Sequence, residues 1–199
     1  MYNTQFFMMR ANDLISWLAT FNQTRDINII QNHHTYIPNY SHFKGNNHIQ
    51  LCHSMEKYAI NERGFDCIPQ NITVFPDGNI VICRDLNKVP AGIKGANTKG
   101  ICIENLGNFD IGGDIMTDNQ REAIVMVNAV LVKHFNIKCD TNNIVYHHWY
   151  DIVSGDRKNG SGVTKSCPGT GFFGGNGISN AANTFIPLIK KQVDLLFNV

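Results

Sequence analysis

Three short stretches hold residue types that could bind a metal and hydrolyse a bond: His33-His34, His147-His148 and Thr164-Lys165-Ser166-Cys167-Pro168-Gly169. Zinc that does chemistry takes three protein ligands from His, Cys or carboxylate and leaves its fourth position to water. Two histidines and a thiolate meet that count. A His pair at a strand end is unspecific by itself, since such imidazoles commonly serve as plain polar groups, and so is a Cys before Pro. The weight lies in the combination, with Cys167 in a Gly-, Ser- and Pro-rich polar segment where packing has no use for a thiol. A zinc hydrolase also needs a group to take the proton of the attacking water and another to steady the oxyanion. Glu104 and Lys165 are the candidates. Glu104 ends the run Ile101-Cys102-Ile103, where a carboxylate facing a pocket has a raised pKa suited to general-base work; its bland alternative is a solvated strand end. Lys165 precedes Cys167 closely enough that its ammonium lies near any ion the thiolate holds, although an isolated Lys is ordinarily surface. Neither H-E-x-x-H nor the H-x-E with P-C-x-x-C of zinc deaminases occurs.

These residues must be positioned by regular elements. His33 follows the apolar run Ile27-Asn28-Ile29-Ile30 and His147 follows Asn143-Ile144-Val145-Tyr146, both readable as strands, so the two imidazoles could converge at one sheet edge while a loop brings in Cys167. Leu14, Trp17, Leu18 and Phe21 predict a short amphipathic helix after Asn12-Asp13, and a weak helix is expected from about Ile49 to Tyr58. Asn71 to Phe75 and Asn79 to Cys83 form a hairpin about Pro76-Asp77-Gly78, because Pro presets φ and Gly supplies a positive one. Gly100 to Glu104 is a further strand. Thr117-Asp118-Asn119-Gln120 reads as a capping box opening a helix to about His134, and Phe185, Ile189 and Val193 mark a C-terminal helix. Alternating strands and helices predict one α/β domain spanning residues 1–199, a central mixed β-sheet flanked by helices with the zinc site at strand ends.

The 199 residues, 43% hydrophobic and 17% charged, suffice for one well-buried core. A formal charge of +1 with scattered Lys and Arg gives no reason to expect nucleic acid as partner. No apolar run is long enough for a membrane span, and Met1 to Phe7 lacks the charged region and apolar run of a secretory leader. The six cysteines form no C-x-x-C pair and are expected as thiols, Cys83 and Cys102 as small buried hydrophobes.

Taken in order, Ile30-Gln31-Asn32-His33-His34-Thr35, Phe75-Pro76-Asp77-Gly78-Asn79-Ile80, Gly100 to Phe109, Thr117 to Gln120, Tyr146-His147 and Ser166-Cys167-Pro168-Gly169 resemble the type 2 N-acetylmuramoyl-L-alanine amidases. That family includes phage lysozyme-like amidases and peptidoglycan recognition proteins, and the resemblance spans about residues 27–170. It implies that His33, His147 and Cys167 bind Zn2+, and that Glu104 and Lys165 assist catalysis as in bacterial members. The family's phage members use a Tyr where this chain has Gln70, so the base role goes to Glu104. The insertion Asp151 to Val163 lengthens the gap between the last two ligands and leaves His148 as the alternative to His147. The implied activity is cleavage of the amide between N-acetylmuramic acid and L-alanine of peptidoglycan, by a phage or prophage endolysin or a bacterial autolysin. Such a protein is made in the cytoplasm and acts on the cell wall after release. Loops 35–50 and 150–178 would form the groove. The alternatives are a non-catalytic peptidoglycan-recognition module and a purely structural zinc site with four protein ligands.

Overall fold

A computed structural model describes residues 5–197. The expectations about a leader at Met1 to Phe7 and a domain ending at Val199 therefore fall partly outside the described residues. Six strands make one mixed sheet: β1 (Phe7–Arg10), β2 (Ile29–His34), β3 (Ile72–Val74), β4 (Asn79–Ile82), β5 (Gly100–Asn105) and β6 (Ile144–Tyr146), in the order β1-β4-β3-β5-β2-β6. The centre β3-β5-β2-β6 is parallel and the β1-β4-β3 margin is antiparallel. Buried on both faces, β3, β6 and most of β5 read in the sequence as apolar runs, whereas β2 turns polar from Gln31 onward.

The helices are α1 (Leu14–Ala19), α2 (His48–Arg63), α3 (Asp118–His134), α4 (Ile178–Asn180) and α5 (Ile186–Phe197), with a π-helical stretch, Ala181–Phe185, joining the last two. α3 packs Ile124, Val127 and Leu131 with Ile30, Ile72 and Ile103 in the main core. Within that apolar interior Asn128 and Asn32 exchange amide hydrogen bonds of 2.9 and 3.1 Å. A smaller cluster of Leu51, Cys52, Phe75, Val81 and Cys83 forms under α2. All six cysteines are free. No helix among the described residues is long and apolar enough to cross a membrane.

Several elements depart from the sequence reading. β1, an exposed edge strand, was not expected, and α2 runs a turn longer than the apolar spacing suggests before ending at Gly64 in the left-handed conformation. The capping box at Thr117 is only half formed: Thr117 Oγ1 accepts from the Gln120 N–H at 3.2 Å. The Gln120 side chain instead donates to Val74 O and Leu106 O, joining helix to sheet.

Candidate active site

Parallel register decides which side chains meet. β2 and β5 pair His33 with Glu104 and Gln31 with Cys102, and β2 pairs Asn32 with Tyr146 of β6, so His147 follows immediately beside His33. Successive strand residues face opposite sides of a sheet. His33 and Glu104 therefore share one face, and His34 belongs to the other, where its Nδ1 accepts from the Phe109 N–H at 3.1 Å. Both histidines lie inside β2 rather than after it.

His147 opens a 3-10 turn, His147–Trp149, and its Nδ1 stands 3.2 Å from His33 Nδ1. Cys167 Sγ lies 3.5 Å from the same His33 nitrogen. The three donors all fall within 4.8 Å of one another. Four ligands on a tetrahedron at zinc distances of ~2.0–2.1 Å for nitrogen and ~2.3 Å for sulfur stand about 3.3 Å apart for N–N and about 3.5 Å for N–S. The observed pairs fit a zinc-sized ion. His148 lies outside this group, its Nδ1 donating to Lys165 O at 2.7 Å.

Charge at the site fits as well. Burial, with help from His147 and Lys165, holds His33 far below the usual histidine range, and burial with Lys165 brings His147 down to about 4. Both rings are neutral at pH 7 and can offer lone pairs. Burial and the neighbouring Glu104 push the Cys167 thiol up, so a cation is what would make it a thiolate. Glu104 Oε1 lies 3.8 Å from His33 Nδ1. Burial lifts its carboxyl to about 8 against the pull of Lys165. The exposed Lys165 acts electrostatically on His33, His147 and Glu104.

The loop that presents Cys167 is latched by Asp110, Thr170 and Asn176, which the sequence reading did not single out, together with Ser166 and His148, which it did. The Asp110 carboxylate accepts from Ser166 Oγ and from the Thr170 N–H, both at 3.0 Å, Asn176 donates its amide to Ser166 O, and the His148 N–H donates to Cys167 O at 2.7 Å. Gly169, at φ +117°, lets this loop lie against the Phe109 backbone, where a Cβ would stand 2.4 Å from Phe109 C. On the strand side Asn105 donates to His33 O at 2.7 Å. Only Asn105, a polar residue closing the run Ile101-Cys102-Ile103-Glu104, left a signal in the sequence. Gln70 is buried and donates to Thr73 Oγ1.

The insertion 151–163 folds back on its own base. Lys158 and Asn159 N–H groups donate to Trp149 O, the Ile152 N–H donates to Val163 O, and Asp151 accepts from the Val153, Ser154 and Val163 N–H groups. These backbone donors hold the Asp151 carboxyl down to about 2. Beside the Cys167 loop an open groove of about 560 Å³ is lined by segment 109–116 with Arg121, Gly171, Phe173 and Gly174. The sequence reading placed the groove walls at 35–50 and 150–178; only Gly171, Phe173 and Gly174 of those stretches line this groove, no residue of 35–50 does, and segment 109–116 forms most of it.

The sequence profile of N-acetylmuramoyl-L-alanine amidases matches residues 23–170. The chain belongs to this family. No curated protein matches it in sequence. Among solved structures, Drosophila PGRP-LB aligns with a TM-score of 0.59 at 19% identity, covering 77% of this chain and 81% of that one. N-acetylmuramoyl-L-alanine amidase LysC from Clostridium intestinale URNW aligns with a TM-score of 0.55 at 21% identity, covering 76% and 87%. Peptidoglycan recognition protein-LE, solved in complex with tracheal cytotoxin, a monomeric diaminopimelic acid-type peptidoglycan, aligns with a TM-score of 0.58 at 21% identity over 75% and 78%. At these identities the shared property is the fold, here a type 2 amidase fold reached with a His/Cys donor group at the ends of parallel strands.

Proposed function

We propose that the protein is a zinc-dependent N-acetylmuramoyl-L-alanine amidase whose single catalytic domain cleaves the amide between N-acetylmuramic acid and the L-alanine of the stem peptide. The observation that carries this is the spacing of His33 Nδ1, His147 Nδ1 and Cys167 Sγ, close to the edges of a zinc tetrahedron, beside the half-buried Glu104 carboxyl. Zinc, when bound by these three residues, supplies the Lewis acidity that polarises the scissile carbonyl and acidifies a water.

The chain's own residues do the rest. Burial alone keeps the Glu104 carboxyl protonated up to about 8. Ionised under the positive charge of a bound zinc, it takes the water's proton as the oxygen attacks and passes it to the leaving amine, and the Lys165 ammonium steadies the negative charge on the tetrahedral oxyanion. Asp110 and Asn176 keep the Cys167 loop in register. The groove beside that loop holds glycan and peptide. An endolysin of a phage or prophage, or an autolysin, made in the cytoplasm and acting on the wall after release, is the biological role that this activity suits.

The assay is release of L-alanine amino termini from purified peptidoglycan without new reducing sugar ends, on protein whose zinc content has been measured. The likeness to recognition proteins favours a second reading, a module that binds the wall without cutting it. Zinc-loaded protein that binds the wall and releases no termini from any stem-peptide type decides for that reading.

A further inference from the structure

The site above uses one nitrogen of His33. Its Nε2 is buried without a hydrogen-bond partner, and Glu104 Oε2 is in the same condition. Native proteins leave few buried polar atoms unpaired. One register step down the same face lie Cys102 and Gln31. A Cβ on Gly92 would stand 3.1 Å from His33 Nε2, 2.8 Å from Cys102 Sγ and 2.2 Å from Gln31 Oε1, so these atoms border one point beneath the loop that carries Gly92. His33, Cys102 and Glu104 offer donor atoms that lie within 4.8 Å of one another.

We infer that this inner donor cluster is a second, weaker site for a thiophilic divalent ion such as zinc or cadmium, held by His33 Nε2, Cys102 Sγ and the Glu104 carboxylate, and that filling it inhibits the enzyme. A thiolate with an imidazole is a donor set such ions favour over magnesium or calcium. The ion displaces the Cys102 thiol proton and the His33 Nε2 proton to solvent, and the imidazolate then bridges two ions. Glu104 spends its lone pairs on the inner ion and stops accepting the water's proton. The inhibitory half rests on the amidase reading, and the binding half does not.

The test dialyses zinc-loaded protein against rising zinc, counts bound metal, and measures release of L-alanine termini in the same samples. A parallel cadmium titration follows the thiolate-to-cadmium absorption. Wild type is expected to take a second equivalent, gain thiolate absorption and lose turnover by ~10²-fold or more, the scale of a lost general base. Cys102→Ser and Cys102→Ala should hold one zinc, keep basal turnover and resist excess metal. Saturation of wild type at one equivalent, or a second equivalent taken equally well by both Cys102 variants, overturns the inner site. A second equivalent that requires Cys102 and leaves turnover intact overturns the inhibition. Absence of turnover at every zinc level overturns the amidase reading while the metal count still reports on the inner cluster.

Discussion

His33 and Glu104 stand on neighbouring parallel strands in the middle of the sheet, whereas His147, Lys165 and Cys167 come from a turn and a glycine-rich loop. The two halves are ordered by different means. A strand held by ladders on both sides cannot slip by one residue without turning its whole buried face outward, so the strand half is fixed by the core itself. The loop half hangs on a few removable latches: Asp110 on Ser166 and Thr170, Asn176 on Ser166, and the His148 N–H on Cys167 O. Damage to the first half should therefore be global or chemical, and damage to the second local and graded.

Removing a donor from either half should have the largest effect. His33→Ala, His147→Ala and Cys167→Ser should each lose bound zinc and fall to background turnover, while His34→Ala and His148→Ala retain the metal. Elemental analysis of the purified variants checks this, and a His148→Ala protein that loses zinc while His147→Ala keeps it would reverse the assignment.

One rank lower are the two assisting groups, one from each half. Glu104→Gln should lose ~10²- to 10⁴-fold in turnover and Lys165→Ala ~10²- to 10³-fold, both with zinc and wall binding intact. Equal turnover in wild type and Glu104→Gln would remove the strand half from proton transfer.

The latches come next. Asp110→Ala should weaken zinc affinity by ~10- to 100-fold, the usual effect of releasing a group that orients a ligand. Hydrogen exchange in β2 and β5 should stay as in wild type, and deprotection there would mean that loop and sheet are one cooperative unit.

The smallest effect is a pH dependence confined to the insertion. The Asp151 carboxyl is held at about 2 in the folded loop, against ~3.9 in an unfolded chain. A depressed pKa contributes fully above ~4 and is lost as pH falls through about 2, so loop 151–163 should loosen in that window. Hydrogen exchange of this loop, compared with Asp151→Asn, reads it; identical pH profiles for the two proteins would disconnect the loop from Asp151.

The ends of the apolar runs were legible in the sequence, and they place Glu104 of the strand half and His147 of the loop half. The exact end of β2 was not legible. Gln31, Asn32, His33 and His34 are polar, and only burial against Cys102, Asn128 and the loop carrying Gly92 makes them strand residues. Gln120 misled in the same way: its sequence position suits a helix cap, but its amide is drawn to the carbonyls of Val74 and Leu106, which the fold brings beside it. Asp110 was invisible because its contacts, Ser166 and Thr170, lie far along the chain and become neighbours only in the fold.

The insertion between Asp151 and Val163 closes on the residues from which it departs, since Ile152 pairs with Val163 and Trp149 O receives both Lys158 and Asn159. The number of residues separating His147 from Cys167 is thereby uncoupled from the distance between them. Each doubling of such a loop costs only about 0.6 kcal/mol in closure entropy. The spot is therefore a natural docking port for foreign sequence: segments can be lengthened, shortened or exchanged there, and a new surface grown beside the donor cluster, without retuning the cluster itself.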